Sequence, residues 1–552
     1  MSKRRLGILI SCIALLLVAL AIFTLVNNKK SINVMQQAAK QQSAESTGQI
    51  HVSKQVQASC MSCHAVDNNG KLARIEYMRK TPEGWSQTIA RMERIHGLKI
   101  TDDERKILIK DLSEQRGLAP SEAEPVRYWV ENKPSYTEAD SPNPNVQNGC
   151  IACHAGGRFM AQRRTEEEWK NLKDFHLVMF PSTYLNNRHL DWPKVADAAL
   201  DYLATQYPEK TAAWDEWKGK HYEAQGKWKV VGYRGTQGFY VGDSEIQKAG
   251  DGYSENKSIR YMNAGNSETL TGKIQMYSGY TLRTQYDQQG KKLQGVFNIL
   301  ENGNEIKGGW AETKDAGITG EETYYKVQTE KPEVVHMEPA AIQQGKTSEL
   351  TLYGMNLKKL TAQSMKFPEG VTVKSVAASS NDIVKLTVTV DKNAPIGSFS
   401  IASDKANVHE NLTVYDRVDY LKATPSYAVA RMGGAGPMHK VSTQFTAYTY
   451  SNGKDGKKGT ADDLKLMAVP AKWTLGPYPE EIKNDEDLKY IGKIAENGLF
   501  TPSIEGVNKE RPYTAENVGS VTAIASYTWN GKTFIGKAHL VTAVPDYSNV
   551  VN

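Results

Sequence analysis

Two pairs of cysteines, Cys60 with Cys63 and Cys150 with Cys153, are each separated by two residues and each followed at once by a histidine, His64 and His154. Nothing else in the chain restricts its fold as tightly. A C-x-x-C-H string places two thiols where they can form thioethers to the two vinyl groups of one porphyrin, while the adjacent imidazole reaches the iron as proximal ligand. Each string therefore reads as a c-type haem attachment site, and the pair implies two covalently bound haems c. A redox dithiol or half of a zinc site uses the same cysteine spacing but leaves the histidine after both pairs unexplained. The remaining cysteine, Cys12, lies in an apolar amino-terminal run.

The segments downstream of the two motifs repeat one another. Thr81-Pro82-Glu83-Gly84-Trp85 and Thr165-Glu166-Glu167-Glu168-Trp169 both open a helix with a threonine cap, an acidic first turn and a tryptophan four residues on. Thr165 with Glu168 has the form of a full capping box, as does Thr101 with Glu104. Two helical turns beyond each tryptophan, on the same face, stand Met92 and His176. These residue types commonly supply a sixth haem ligand, so the repeat predicts His64 and Met92 for the first iron and His154 and His176 for the second. His96, one turn after Met92, is the alternative for the first, and Met179 for the second. A plain core methionine and a surface histidine are the structural readings of Met92 and His96. Thioether ligation raises a haem potential relative to bis-imidazole, which would send electrons from the second haem to the first. Arg163 and Arg164 could pair with haem propionates or form a solvated helix approach.

Leu6 to Val26 is almost wholly apolar and uncharged after a basic start at Lys3, Arg4 and Arg5. It is long enough for a bilayer, which needs about 20 residues. Thr24, Leu25 and Val26 match a cleavage site poorly, so an uncleaved signal anchor is preferred to a signal peptide. Leu9-Ile10-Ser11-Cys12 resembles a lipoprotein box, but the apolar run continues well past it. Haem c is attached outside the bacterial cytoplasm, so anchor and motifs agree on the periplasm, with a tether to the inner membrane through residues 6–26. The formal charge of +6 derives mostly from the amino terminus, where Lys29 and Lys30 add to the basic start, and makes no case for nucleic acid.

At 552 residues the chain should hold three or four units of roughly 150 residues each. The expected fold is an α-helical dihaem cytochrome c domain followed by three all-β domains. The expected boundaries are 1–30 for the signal segment, 31–48 for a tether, and 49–212 for the haem domain, whose repeats span about 49–120 and 121–212. Alternating strands and regular turn signals then predict a small antiparallel barrel over 213–331, an immunoglobulin-like sandwich over 332–414 and a further β-sandwich or barrel over 415–552. Asp455 to Asp463 lacks the spacing and terminal Glu of an EF-hand loop and reads as an acidic turn. The β domains carry no catalytic motif.

With these features the chain resembles the α (dihaem) subunit of quinohaemoprotein amine dehydrogenase. The strings that carry the resemblance are the two haem motifs, Gln162-Arg163-Arg164 with Glu168-Trp169 and His176, and Tyr277-Ser278-Gly279-Tyr280 with Arg283. The last domain adds Tyr415-Asp416-Arg417-Val418-Asp419, Ala430-Arg431-Met432-Gly433-Gly434, Gly459-Thr460-Ala461-Asp462-Asp463 and Asn497-Gly498-Leu499-Phe500-Thr501-Pro502. The resemblance implies an αβγ heterotrimer with a propeller β subunit and a small γ subunit bearing cysteine tryptophylquinone. In that family primary amines are oxidised to aldehydes and ammonia. This chain would carry electrons from the quinone through its haems to an acceptor such as a blue copper protein or cytochrome c, with no catalytic residue of its own for the amine. The family is described as soluble, so a retained anchor would be a departure. A free-standing dihaem carrier with β-rich binding domains is the alternative; a dihaem peroxidase, which needs an open iron site, is a weaker one.

Overall fold

The computed structural model describes residues 52–545, apart from 127–140 and short stretches at 152–153, 155, 263–264, 289, 301–302, 328–330, 404, 483–485 and 512–515. The apolar span, Cys12, the tether and Cys153 thus lie outside the described residues. Among the described residues no helix is long and apolar enough to cross a membrane. Two compact units emerge. One gathers the chain up to Leu118 with Gln162–Pro181 and Leu200–Lys218; the other gathers Ala119–Ala161, Ser182–Ala199 and everything from Gly219.

The first unit is built on α1 (Lys54–Cys60), β1 (Met78–Lys80), α2 (Pro82–His96), α3 (Asp102–Arg116), β2 (Gln162–Arg164) and α4 (Glu166–Met179). Helix α2 starts where the Thr81 hydroxyl accepts from the Gly84 N–H, and ends at Gly97, whose φ of 73° is left-handed. The Thr101–Glu104 capping box of α3 is complete. At α4 the threonine cap forms, but the reciprocal half of the expected box does not. The Thr165 N–H donates instead to the Tyr77 carbonyl at 3.1 Å, which releases the Glu168 carboxylate to pair with Arg74 at 3.0 Å.

The reading of this domain as helical is incomplete, because β1 and β2 form a short antiparallel ribbon with Arg79 opposite Arg163. In the repeat register set by the two Thr-Trp strings these arginines are counterparts, so the ribbon lies on a local two-fold axis. The symmetry extends further. The indole of Trp85 donates to the Arg116 carbonyl at 3.0 Å and that of Trp169 to the Tyr207 carbonyl at 3.0 Å. Above the rings sit Lys80 at 5.4 Å and Arg164 at 5.7 Å. Arg79 is fully buried and donates to the carbonyls of Glu209 at 2.7 Å and Gly117 at 3.0 Å. Val56, Leu72, Trp85, Ile89, Leu108 and Leu112 form the core beneath.

In the second unit, strands from Gly226–Arg234 to Thr319–Lys326 form a closed antiparallel barrel of eight. Strand Gly252–Tyr261 shows the pleat: Tyr253, Glu255, Lys257, Ile259 and Tyr261 are buried, and the residues between them are exposed. Two of the inward residues are charged. Lys257 Nζ lies 2.8 Å from Glu322, whose carboxylate also accepts from Tyr240 at 2.6 Å and Tyr324 at 2.7 Å. Glu255 accepts from Ser244 and Tyr286, both at 2.7 Å. Beyond the barrel, a five-stranded and a three-stranded sheet close over one core that includes Leu350, Leu352, Leu386, Ile342, Leu412 and Val414. The last domain packs sheets of three, four and three strands around Phe445, Phe500, Val521 and Leu540. In its acidic turn the Asp462 carboxylate accepts from the Lys454 and Asp455 N–H groups and that of Asp463 from the Gly459 N–H. These carboxylates therefore serve their own loop.

Removing one partner of a buried ion pair leaves the other charge uncompensated. Lys257→Met should therefore destabilise the barrel by about 3–5 kcal/mol, and adding Glu322→Gln should recover part of the loss. Native-state hydrogen exchange across residues 226–326 measures both; an unchanged exchange pattern in the single variant would mean that the Glu322 charge does not depend on Lys257.

Candidate functional site

Helix α1 delivers the first motif. It ends at Cys60, and the chain then turns tightly enough for the Cys63 and His64 N–H groups to donate to the Cys60 carbonyl, at 3.1 and 2.9 Å. This turn brings both thiols and the imidazole to the wall of one cavity, with a volume of about 950 Å³. Most of the remaining wall is apolar, including Ile75, Met78, Trp85, Ile89, Leu108 and Leu112. The size is at the upper end of the range for pockets that enclose organic ligands.

The His64 Nδ1 lies 3.1 Å from the Ala73 carbonyl. A proton held there leaves the Nε2 lone pair to a metal, as the outer partner of a ligating histidine commonly does. Burial holds His64 below the ordinary histidine range, Arg74 and His96 add to the depression, and the Ala73 carbonyl and Glu168 oppose it. A neutral imidazole results, which is the ligating form. Burial, assisted by Cys63, pushes the Cys60 thiol up to about 11. With paired thiols, an imidazole that burial pushes towards its neutral form and whose Nδ1 faces a carbonyl, and an apolar enclosure, the residues present fit a covalently attached haem.

Three of the four predicted sixth-ligand residues line this same cavity: Met92, His96 and Met179. Met179, the alternative to His176 at the second haem, therefore lines the first cavity. His176 is not among its lining residues. It sits on α4 with Nδ1 2.6 Å from the Leu172 carbonyl, between the rings of Phe175 at 5.7 Å and Phe180 at 6.2 Å. Burial depresses its basicity, Arg164 and Arg91 add to that, and the Leu172 carbonyl opposes it. Like His64, it sets Nδ1 beside a backbone carbonyl, which favours the tautomer protonated there.

The second motif belongs to the other unit. Cys150 lies in a π-helical turn, Gln147–Ile151, and the His154 N–H donates to the Cys150 carbonyl at 3.3 Å, the same bond that closes the first motif. Phe159 meets the His154 ring edge-on at 6.5 Å. Gly149 is required here, since a β-carbon would come within 2.9 Å of Val195, and its carbonyl accepts from the Trp192 indole at 3.1 Å.

Arg163 and Arg164 are both buried, so neither forms a solvated approach. Arg163 lies over the Tyr207 ring at 5.0 Å, whereas Arg164 reaches the first cavity. Arg74 and Arg91, which also line it, were not singled out from the sequence; isolated arginines in a helix and a loop carry no local signal of a shared wall.

Among known proteins, four family models describing the α subunit of quinohaemoprotein amine dehydrogenase match in succession. The haem-binding model covers residues 51–214, domain II covers 221–322, domain III covers 331–416 and domain IV covers 421–551. No curated protein matches the chain. Similar solved structures include a redesigned β-barrel, 14% identical, spanning 19% of this chain and 92% of that one with a TM-score of 0.17. Mouse clustered PcdhgC3 EC1-3 is 10% identical, spanning 44% and 76% with a TM-score of 0.17. Likenesses this slight carry no argument. The family models rest on the whole order of domains around a haem-binding module, and the chain belongs to the quinohaemoprotein amine dehydrogenase α-subunit family.

Proposed function

We propose that this chain is the electron-transfer subunit of a periplasmic amine dehydrogenase, binding two haems c and assembling with a propeller β subunit and a γ subunit that bears cysteine tryptophylquinone. The observation that carries this reading is the single cavity lined by Cys60, Cys63, His64 and Met92. Bound there and at the second motif, the haems would supply one-electron chemistry linking the quinone, reduced by primary amines, to an external acceptor such as a blue copper protein or cytochrome c.

The chain's own residues have distinct roles. Cys60 with Cys63 and Cys150 with Cys153 would tether the haems through thioethers, and His64 and His154 would be their proximal ligands. Met92 would hold the first haem's iron opposite His64, with His96 and Met179 as the other donors on that wall, and by the repeat register His176 would do so for the second. The Ala73 and Leu172 carbonyls fix the tautomers of His64 and His176. Residues 6–26 hold the chain to the inner membrane, and the two-sheet domain is immunoglobulin-like.

The complex purified with its partner chains should show two haems per α chain and convert to the ferrous spectrum on addition of a primary amine. Two haems that no amine reduces in the presence of those partners would instead make the chain a free-standing carrier. A thioether stabilises ferrous iron better than an imidazole does. Redox titration is therefore expected to place the midpoint governed by Met92 above that governed by His176, with Met92→His bringing the two together. A midpoint that responds to His96→Ala and ignores Met92→His would transfer the ligand role to His96.

A further inference from the structure

The wall of the first cavity is strongly cationic: Arg74, Lys80, Arg91, Lys99 and Arg164 line it against the carboxylate of Asp174. Arg164 comes from the second repeat. Its side chain is 7% exposed, over the Trp169 ring, with Nε donating to Gln162 at 2.8 Å and a guanidinium nitrogen 3.6 Å from Glu168. The same Glu168 holds Arg74 at 3.0 Å, so two guanidiniums share one carboxylate. Burial pushes Arg164 down to about 10, with Glu168 opposing and the charges of Arg74 and Arg91 adding to the fall, which places the three guanidiniums in one electrostatic cluster.

Enclosing cations beside an apolar cavity is unfavourable unless anions complete the set, and guanidiniums suit carboxylates because they present two parallel donors. A haem carries two propionates on the edge away from its vinyl groups. Cys60 and Cys63 fix the vinyl edge, so the propionates must find their counter-ions elsewhere on this wall. We propose that Arg164, delivered by the second repeat, and Arg74 bind the propionates of the first haem, with Glu168 as the positioning residue that holds both guanidiniums. The second repeat then completes the first site and raises its potential, since a nearby cation disfavours the ferric state.

This inference rests on reading the cavity as a haem site, and the two can fail separately. Cys60→Ser with Cys63→Ser tests the site through haem content, which should fall from two to one per chain. Arg164→Gln tests the inference in the full holoprotein, with the two midpoints followed separately by electron paramagnetic resonance. The first haem's midpoint should fall by at least threefold in the one-electron equilibrium, about 28 mV at 59 mV per tenfold, and Arg164→Lys should restore most of it. An unchanged midpoint at two haems per chain overturns the proposal, as does a lysine variant that shifts as far as the glutamine one, which would mark a packing role. Should Arg164→Gln fail to mature, Arg74→Gln serves: its side chain is 49% exposed, and the same downward shift, smaller in size, is expected. No shift there would overturn the proposal equally.

Discussion

The three-residue ribbon formed by β1 and β2 is the constraint on which the first cavity depends. By setting Arg79 opposite Arg163 it fixes where α4 begins, and α4 then supplies Leu172, Phe175, Val178 and Met179 to the cavity wall. A ribbon this short contributes little from its own hydrogen bonds, at about 1 kcal/mol each. Its strength comes from its surroundings. Buried Arg79 ties it to the Glu209 and Gly117 carbonyls, and the Tyr77 carbonyl receives the first N–H of the α4 cap. One indole in each repeat fastens the helix to a carbonyl far along the chain. The site's side chains are therefore held by backbone groups already satisfied within the same unit.

The electrostatics derive from that arrangement. A histidine that ligates a metal must be neutral, and burial, with nearby guanidiniums adding to it, pushes both His64 and His176 towards that form. Lysine at position 164 would keep the charge but would lose the guanidinium over the Trp169 ring and the fork that reaches Gln162 and Glu168 at once. The symmetric position in the first repeat does carry lysine, and Lys80 Nζ turns instead to Thr88 at 2.7 Å. The two repeats are alike in backbone and unlike in the charge chemistry at this position.

Much of this was legible in the sequence where the signal is local. Haem motifs, threonine caps and the tryptophans are each defined within a few residues, and the barrel strands announce themselves through period-two burial. What could not be read depends on residues distant in the chain. Glu168 had the spacing of a capping-box partner, yet the Tyr77 carbonyl took the N–H it would have served, and Arg74, in a loop far upstream, took its carboxylate. Met179 stood as the alternative at the second haem, but position along one helix does not say which cavity a side chain lines. Glu255 and Lys257 alternate in step with inward residues, and binary patterning would have turned them outward; only the partners across the barrel, Tyr286 and Glu322, make their burial tolerable.

The barrel and the haem module solve opposite problems with the same kinds of residue. Inside the barrel Tyr240, Tyr261, Phe297 and Lys257 are fully buried, so its interior is filled by its own side chains, and the charge of Lys257 is answered by Glu322 from within. A polar network paired in this way rigidifies its surroundings. At the first cavity the cations line open volume, and two of them lean on one carboxylate. The contrast lies in where the charge is answered: the barrel's Lys257 meets Glu322 inside one closed sheet, whereas Arg74 and Arg164 share the single carboxylate of Glu168 at the wall of the first cavity.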